Sequence, residues 1–387
     1  MQIIVKLTTN CNLECVYCSE GLSSMQTLDI SIFKKLINEL PELLNKYGQK
    51  EITILWHGGE PLTVGKKYLS EAMEYAINNL GQDYIVKFLL QTNGTLIDDE
   101  WIDIFRKYSV SLGISLDGYQ ELHDANRKTK TGAPTFELVI DNIEKLRRNN
   151  INVATLMVLN TKENVDIDKL WAFIKKYNLP TKIHPVIACG KAEENKEITQ
   201  IYVNYIELLK NLYKRSVNDD EVIIEPLNEI MNAILGLAPM RECSYNGSCG
   251  INFVCLYSDG AVGFCGRKIE NREDFIYGNL SDKSILELYE STFADRIRER
   301  QEFLKNNSCK NCDYWEMCHG GCSFEALNTF GTLKAKYPNC QTRKELLYFL
   351  QTEGLALLKE RLLKEKSICR EKIAIKQNLL KELKNEE

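Results

Sequence analysis

Three cysteines near the start of the chain have the residue type and the spacing of metal ligands. Cys11, Cys15 and Cys18 follow a strand-like run over residues 3–7. A structural zinc site closes its tetrahedron with four ligands, and no fourth cysteine lies nearby in the sequence. Thiolates also hold iron–sulfur clusters, and three thiolates suit a cluster in which one iron keeps an open coordination position. The spacing therefore favours such a cluster, with an incomplete zinc knuckle as the alternative.

Eight further cysteines are concentrated in the C-terminal part of the chain. They are Cys243, Cys249, Cys265, Cys309, Cys312, Cys318, Cys322 and Cys340. Eight thiolates can form two sites of four ligands each, and Cys-x2-Cys pairs occur in zinc and in iron–sulfur sites alike. The three cysteines left over, Cys189, Cys255 and Cys369, are expected to pack as small apolar side chains. Of these three, Cys189 is expected to lie closest to a substrate.

Polar and glycine-rich turns follow the second and third strand-like runs. Gly58 and Gly59 let the backbone come close to a ligand, and Glu60, before Pro61, offers a carboxylate to an ammonium group. Asn93 is placed to reach a cofactor or a substrate, or it forms a simple Asn-Gly turn.

A third polar run follows the fourth strand and contains Ser115, Asp117, His123, Asp124 and Arg127. The planar guanidinium of Arg127 matches a carboxylate with two hydrogen bonds. Asp117 is either a catalytic carboxylate or part of an Asp-Gly turn. His123 and Asp124 are expected to brace the loop.

Alternating strand and helix patterns must position these residues. Strands are predicted at Gln2–Thr8, Glu51–His57, Ile85–Gln91, Ser109–Leu116, Val153–Leu159 and Lys182–Ile187. Helices are predicted at Ile30–Leu44, Lys66–Asn79, Asp98–Lys107, Phe136–Asn149 and Ile167–Lys176. This succession of βα units predicts an α/β fold, namely a partial (β/α)6 TIM-like barrel. The motifs above fall at the C-terminal strand ends, where barrels of this kind carry their chemistry.

Composition narrows the class of protein. The 387 residues are 44% hydrophobic and carry a formal net charge of −5, which supports a large core and gives no footprint for nucleic acid or an anionic membrane. No apolar run approaches the roughly 18 residues of a membrane span, and the first strand leaves no room for a signal peptide. The 14 cysteines therefore indicate metal binding in a reducing, cytoplasmic setting.

The Cys-x3-Cys-x2-Cys segment resembles the signature loop of the radical SAM superfamily, and residues 58–61 match its Gly-Gly-Glu-Pro element. The resemblance implies a cluster whose open iron binds S-adenosylmethionine and whose electron releases a 5′-deoxyadenosyl radical. It implies that the Gly-Gly-Glu-Pro element contacts the amino group of the methionine. It further implies that Ser115 contacts the ribose or the carboxylate, and that Arg127 pairs with the carboxylate. Tyr17 and apolar residues of the sixth strand would line the adenine site.

The C-terminal cysteine spacing is similar to the SPASM extension of radical SAM proteins, which carries two auxiliary four-iron–four-sulfur clusters. The resemblance implies an inner cluster on Cys243, Cys249, Cys265 and Cys322. It implies an outer cluster on Cys309, Cys312, Cys318 and Cys340. Because Cys322 would tie the later segment to the earlier one, metal binding would contribute to folding.

Three parts of the chain follow from these patterns. Residues 1–225 are expected to form the barrel, 226–341 the auxiliary-cluster domain, and 342–387 a tail of one or two helices. The tail is expected to pack on the rest of the protein or to bind a partner or a second copy.

The run from Ser115 to Arg127 resembles the subgroup of anaerobic sulfatase-maturating and peptide-modifying radical SAM enzymes. This resemblance implies hydrogen abstraction from a side chain of a peptide or protein, followed by electron transfer to the auxiliary clusters. The sulfatase-maturating pattern has an aspartate, the catalytic base, directly after the third inner-cluster cysteine, whereas Gly266 and Arg267 follow Cys265 here. We therefore expect a maturase that forms a thioether or carbon–carbon cross-link in a ribosomally made peptide.

The alternatives are a formylglycine-generating sulfatase maturase and, outside enzymes, an iron–sulfur electron-transfer protein or a zinc-bearing scaffold. The expected partners are a peptide or protein substrate and a flavodoxin- or ferredoxin-like electron donor. The chain shows no N-terminal leader-binding domain, so recruitment would fall to a separate leader-peptide-binding protein, to the tail or to the cleft. The sequence singles out no catalytic base.

Overall fold

The structure is a computed structural model, and it describes residues 1–20, 25–160, 165–192, 202–267 and 275–366. The strands in these ranges are β1 Gln2–Thr8, β2 Glu51–Gly58, β3 Ile85–Thr92, β4 Ser111–Ser115, β5 Val153–Leu159, β6 Thr181–Pro185, β7 Ile224–Glu225, β8 Phe253–Leu256, β9 Ala261–Gly263 and β10 Ile276–Asn279. They form one sheet in the order β10-β9-β8-β1-β2-β3-β4-β5-β6-β7. Strands β1 to β6 each pair in parallel with the next strand, and β1 also pairs in parallel with β8. Strand β9 pairs antiparallel with both β8 and β10.

The helices of the described ranges cover one face of the sheet and its C-terminal extension. They are α1 Ile30–Lys46, α2 Lys66–Leu80, α3 Asp99–Lys107, α4 Gln120–Asn126, α5 Phe136–Arg148, α6 Ile167–Tyr177, α7 Tyr202–Ser216, α8 Leu227–Ile234, α9 Cys243–Asn246, α10 Ile285–Tyr289, α11 Thr292–Asn306, α12 Trp315–Cys318, α13 Ser323–Phe330 and α14 Cys340–Phe349. None of them has the length and apolarity needed to cross a membrane.

The predicted α/β architecture is confirmed, with small differences at strand ends. The fourth strand begins two residues later than predicted, because Ser109 has φ of 50° and cannot continue an extended strand. The sixth strand ends at Pro185, earlier than predicted. The sequence analysis missed the short helix α4, the helix α7 and the two-residue strand β7.

Successive side chains of a barrel strand alternate between two faces. The core face packs against the helices, and the interior face is the opposite one. In β1, Ile3, Val5 and Leu7 are fully buried in the hydrophobic core shared with the helices. Lys6 and Thr8 lie on the opposite face, which successive side chains of a strand must occupy in turn. The interior face of β1 therefore carries polar groups beside Ile4.

The auxiliary region continues the barrel sheet. Strand β8 pairs in parallel with β1, with Cys255 opposite Ile4, and Cys255 is fully buried there, which confirms its predicted packing role. The sheet therefore runs across the expected boundary between residues 225 and 226. The division of the chain into three parts stays a prediction.

The tail packs against α7 over the described part of its length. Helix α14 leads into a π-helical turn at Leu350–Gly354 and then into helical residues 355–366. The Tyr213 hydroxyl donates to the Gly354 carbonyl at 3.1 Å, and Arg361 donates to the Val217 carbonyl at 2.8 Å. Residues 367–387, including Cys369, lie outside the described residues.

Candidate functional site

The N-terminal cysteine loop lies where the parallel strands end. It follows β1, and its backbone is held by neighbouring loops. The Val16 amide donates to the Asn126 carbonyl at 3.0 Å, and the Lys191 amide donates to the Cys18 carbonyl at 3.0 Å. The loops that follow α4 and β6 therefore clamp the cysteine loop from two sides.

The three thiols of this loop lie close enough to influence each other's ionisation. Burial raises the pKa of Cys11 to about 12 and also raises the pKa of Cys15. The Leu13 amide donates to the Cys11 Sγ at 3.4 Å, and the Asn93 Nδ2 lies 3.9 Å from the same sulfur. Buried thiols of this kind ionise when a metal replaces the proton, so the loop fits a metal cluster.

Glu60 is fully buried at the ends of β2 and β3. Its Oε1 accepts from the Leu62 amide at 3.0 Å and from the Thr92 hydroxyl at 2.8 Å, and its Oε2 accepts from the Asn93 amide at 2.7 Å. The carboxylate therefore fixes two strand ends to each other, and Pro61 begins the short 3₁₀ turn beyond it. Its predicted contact with the cofactor's amino group stays a prediction.

The adjacent glycines are required by the cysteine loop itself. A Cβ on Gly59 would lie 2.2 Å from the Asn10 carbonyl oxygen, and one on Gly58 would lie 2.4 Å from the Thr8 carbonyl oxygen. The Glu60 amide also donates to the Asn10 carbonyl at 2.8 Å. Close approach of two backbones thus accounts for the glycine pair, independently of any ligand.

Asn93 and Ser115, both predicted to contact the cofactor, already have protein partners. The Asn93 Nδ2 donates to the Asn12 Oδ1 at 2.8 Å, and the Asn93 Oδ1 accepts from the Thr95 amide at 3.0 Å. The Ser115 hydroxyl accepts from the Gln91 Nε2 at 3.1 Å. Asn93 thereby braces the cysteine loop.

Asp117 is the centre of a buried network that the sequence analysis left between two readings. Its Oδ2 accepts from the Arg127 Nε at 2.9 Å and from the Tyr17 hydroxyl, and its Oδ1 accepts from the Val158 amide at 3.0 Å. The Arg127 guanidinium lies 5.4 Å from the centre of the Tyr17 ring. Tyr17 also packs with Val186 of the loop after β6.

This network limits what Arg127 can do. Its Nε is occupied by Asp117, so only the two terminal nitrogens remain for an external carboxylate. The predicted bracing role of His123 and Asp124 is confirmed. His123 Nδ1 accepts from the Asp117 amide at 3.2 Å, and Asp124 Oδ1 accepts from the Thr135 amide at 2.9 Å.

The structure brings the predicted inner set of four cysteines together, although they are far apart in the sequence. Cys243 begins α9, Cys265 follows β9, and Cys322 precedes α13. Cys243 interacts electrostatically with Cys249 and Cys322, and Cys322 interacts with Cys249 and Cys265. Burial raises the pKa of the Cys243 and Cys322 thiols, so these too are sulfurs that suit a metal-bound state.

The predicted outer set lines a single cavity of about 350 Å³. The four thiols in its wall are those of Cys309, Cys312, Cys318 and Cys340. Tyr337 and Arg343 contribute to the same wall. This all-sulfur donor set suits iron–sulfur ligation. Within the described ranges, no three His, Cys, Asp or Glu side chains converge as a single metal ion would require.

The interior face lies between the N-terminal thiols and the inner set. Cys11 lies beyond the C-terminal end of β1. Cys265 follows β9, which runs antiparallel to β8. Because β8 is parallel to β1, strand β9 runs back toward the start of β1. Lys6 lies along that face and forms a buried ion pair with Glu20. Sequence analysis missed this pair, although a lysine inside an apolar strand run was a visible signal.

Further groups line this interior. Burial raises the pKa of Cys189 to about 12, and its thiol interacts with Cys265 and Glu20. A cavity of about 390 Å³ is lined in part by Lys182, His184 and Glu242. Burial lowers the pKa of His184 to about 3, so its imidazole is neutral near pH 7. The wall of this cavity therefore combines an uncharged imidazole with the Lys182–Glu242 ion pair.

Comparison with known proteins identifies both halves of this arrangement. Residues 5–174 match the model of the radical SAM superfamily, and residues 246–313 match the iron-sulfur cluster-binding SPASM domain. The chain is 26% identical to the cysteine-type anaerobic sulfatase-maturating enzyme of Clostridium novyi, over 83% of this chain and 87% of the relative. It is 24% identical to the serine-type anaerobic sulfatase-maturating enzyme of Bacteroides thetaiotaomicron, over 81% of this chain and 80% of the relative.

Solved structures share the fold. The structure of native anSMEcpe with bound AdoMet and the Kp18Cys peptide superposes with a TM-score of 0.77 at 23% identity, over 93% of this chain and 98% of that chain. Streptococcus suis SuiB bound to the precursor peptide SuiA superposes with a TM-score of 0.59 at 14% identity, over 88% of this chain and 75% of that chain. The thiol sets and the matches over residues 5–174 and 246–313 indicate a radical SAM enzyme with a SPASM region, which uses S-adenosylmethionine and several four-iron–four-sulfur clusters.

Proposed function

We propose that this enzyme oxidises a side chain within a peptide and that the product is a cross-link in a ribosomally made peptide. Two kinds of relative support a peptide substrate. The sulfatase-maturating enzymes match most of the chain, and two solved neighbours hold peptides. The choice of product depends on one position beside the inner thiol set.

That position is Gly266, where the sulfatase-maturating pattern has its aspartate. A Cβ at Gly266 would lie 3.3 Å from the Ile4 Cγ2 and 3.5 Å from the Lys6 Cε. A methyl group and the stem of a lysine therefore occupy the space that an aspartate at this position would share. The observation that carries the proposal is thus a missing carboxylate next to Cys265.

The chemistry of each route explains why that carboxylate matters. When bound, the cofactor and its cluster supply the 5′-deoxyadenosyl radical, which removes one hydrogen atom from the substrate. One proton and one electron must then also leave. Formylglycine formation needs an acceptor for the thiol or hydroxyl proton beside the radical carbon, and a positioned carboxylate serves that purpose. In a cross-link, a second substrate group traps the radical carbon and gives up its own proton.

The remaining roles of the chain are assigned as follows. We propose that the N-terminal thiols, the inner set and the outer set each hold one four-iron cluster. Asp117 and Tyr17 orient Arg127 toward the cofactor's carboxylate, and Glu60 holds the two strand ends beneath it. A flavodoxin- or ferredoxin-like protein supplies the electron. A separate leader-binding protein or the cleft recruits the peptide, because the described part of the tail is packed on α7.

A second candidate is formylglycine formation, which the similarity to sulfatase-maturating enzymes favours. Glu20 is the carboxylate that could compensate for Gly266, since it pairs with Lys6 next to that position. The two candidates differ in product and in their dependence on residue 266.

One anaerobic assay separates them. The enzyme is incubated with a Cys-x-Pro-x-Arg peptide and, separately, with a small cysteine-containing ribosomal peptide encoded beside its gene. Mass spectrometry then follows loss of two hydrogens in the second peptide, and a hydrazide trap detects an aldehyde in the first. We expect the cross-link and no aldehyde from the wild type. Efficient aldehyde formation by the wild type would overturn the cross-linking assignment.

The variant Gly266→Asp sharpens this assay. It restores a carboxylate beside Lys6, with Gly266→Ala as the control for the added Cβ. A gain of aldehyde confined to the aspartate variant is the expected result. Equal aldehyde yields from the wild type and both variants would show that residue 266 does not determine the product.

A further inference from the structure

Each auxiliary thiol set has one guanidinium directed at one of its sulfurs. The Arg267 Nη1 lies 3.6 Å from the Cys322 Sγ of the inner set. The Arg343 Nη1 lies 3.8 Å from the Cys318 Sγ of the outer set. Both distances lie within the range of hydrogen bonds to sulfur. By contrast, the Cys11 thiol of the N-terminal loop receives its contacts from a backbone amide and from the amide of Asn93.

Packing fixes both arginines in place. The Arg343 side chain is 4% exposed, and its guanidinium lies between the rings of Tyr245 and Tyr337, at 4.1 and 3.9 Å from their centres. It also donates to the Ser244 carbonyl, next to the inner ligand Cys243. Arg343 therefore spans the space between the two auxiliary sets.

The Arg267 side chain is 32% exposed and is held by a ring and by a carboxylate. Its guanidinium lies 5.4 Å from the centre of the Phe324 ring and 3.9 Å from the Glu325 carboxylate. Glu325 is buried and interacts electrostatically with both Arg267 and Arg343. Glu325 thus couples the two guanidiniums electrostatically beside the two thiol sets.

A cation at a cluster sulfur has a predictable effect on redox behaviour. A four-iron cluster with four thiolates is anionic, and its reduction adds a further negative charge. A fixed positive charge in a poorly polarisable interior stabilises that added charge, and hydrogen bonds to cluster sulfurs and the surrounding charge set cluster potentials. Charged donors act more strongly than neutral ones. Each auxiliary site has a guanidinium hydrogen-bonded to a sulfur, whereas in the described N-terminal loop Arg127 interacts with Cys15 electrostatically, without a described hydrogen bond to its sulfur.

We propose that Arg267 and Arg343 are positioning residues that raise the reduction potentials of the inner and the outer auxiliary cluster, respectively. This inference rests on the cluster ligand sets of the proposed function. The electron removed from the substrate radical would then pass to the inner cluster and on to the outer one. Each transfer is a one-electron reduction of the receiving cluster: the substrate-derived radical would reduce the inner cluster, and the reduced inner cluster would then reduce the outer one.

The test is a redox titration followed by electron paramagnetic resonance. It uses enzyme with Cys11, Cys15 and Cys18 changed to alanine, so that the auxiliary clusters alone contribute. Arg267→Gln should lower one midpoint potential, and Arg343→Gln should lower the other. We expect each glutamine variant to lower the equilibrium constant for reduction of its cluster at least tenfold. For a one-electron couple, this corresponds to a midpoint potential lower by about 59 mV.

Matched variants make the outcomes decisive. Arg296 is exposed on α11, so Arg296→Gln makes the same charge change away from the sulfurs and should leave both potentials unchanged. Arg267→Lys and Arg343→Lys keep the charge and should recover part of each shift. Unchanged potentials with full iron content would overturn the inference, as would iron loss in both the glutamine and the lysine variants. A wild type with iron at the N-terminal site alone would instead overturn the ligand sets and the inference with them.

Discussion

The N-terminal thiol site and the auxiliary thiol sites are built in different ways from the same residue type. Cys11, Cys15 and Cys18 lie on one loop, held by backbone hydrogen bonds from the strand ends around it. The auxiliary thiols come from segments that are distant in the sequence, and two arginines, the buried Arg343 and the half-buried Arg267, reach their sulfurs. The first site is thus formed within the barrel, by its own strand ends and loops. The second and third sites exist only when the C-terminal region has folded around them.

The largest effect should come from removing the three thiols of the N-terminal loop. Changing Cys11, Cys15 and Cys18 together to alanine should abolish reductive cleavage of S-adenosylmethionine, because no open iron remains to bind the cofactor. About eight iron should remain per protein, as two four-iron clusters require. Iron analysis and detection of 5′-deoxyadenosine provide the measurement. Retained cleavage would place the radical chemistry at another site.

Loss of a thiol from an auxiliary site should instead lower the stability of the folded protein. Cys322→Ala removes a proposed ligand that would join two segments, so it should lower the melting temperature well beyond the effect of Cys189→Ala. Cys322 and Cys189 are both 4% exposed, so loss of packing is matched between them and the difference reports the metal link. Differential scanning calorimetry under anaerobic conditions measures it. Equal melting temperatures would contradict the interleaved ligand set.

A smaller effect should appear where the cysteine loop touches β2. Gly59→Ala places a Cβ 2.2 Å from the Asn10 carbonyl oxygen, whereas Gly266→Ala meets Ile4 at 3.3 Å. Forced crowding of this kind costs about 1–3 kcal/mol, so Gly59→Ala should lower the free energy of unfolding and weaken cofactor binding. Gly266→Ala should do neither to a comparable degree. Similar denaturation midpoints for both variants would show that the loop relaxes away from β2.

The contrast between the N-terminal thiol site and the auxiliary thiol sites also explains how much of each region could be predicted from the sequence. The barrel strands and their motifs were predictable because periodicity and local spacing are properties of short segments, as in Gln2–Thr8. The cysteine sets followed from resemblance, since no local rule pairs Cys322 with Cys243. Lys6 stood out inside its apolar run, but its partner was not predictable, because Lys6 and Glu20 meet only after the loop folds back. The same holds for Arg343, which reaches its tyrosines from α14.

The smallest effect we predict concerns Arg127, where the two candidate roles of one side chain can be separated. Its Nε is bonded to Asp117 at 2.9 Å, so a cofactor carboxylate could use only the terminal nitrogens. A lysine at this position can keep the pairing with Asp117 through its single ammonium group, but it cannot grip a second carboxylate with two parallel bonds. Arg127→Lys should therefore weaken S-adenosylmethionine binding about tenfold, the equivalent of one ordinary hydrogen bond of about 1.4 kcal/mol. The free energy of unfolding should change much less. Equilibrium binding and chemical denaturation of the same variant provide both numbers. An unchanged cofactor affinity with a large loss of stability would assign Arg127 to the Asp117 network alone.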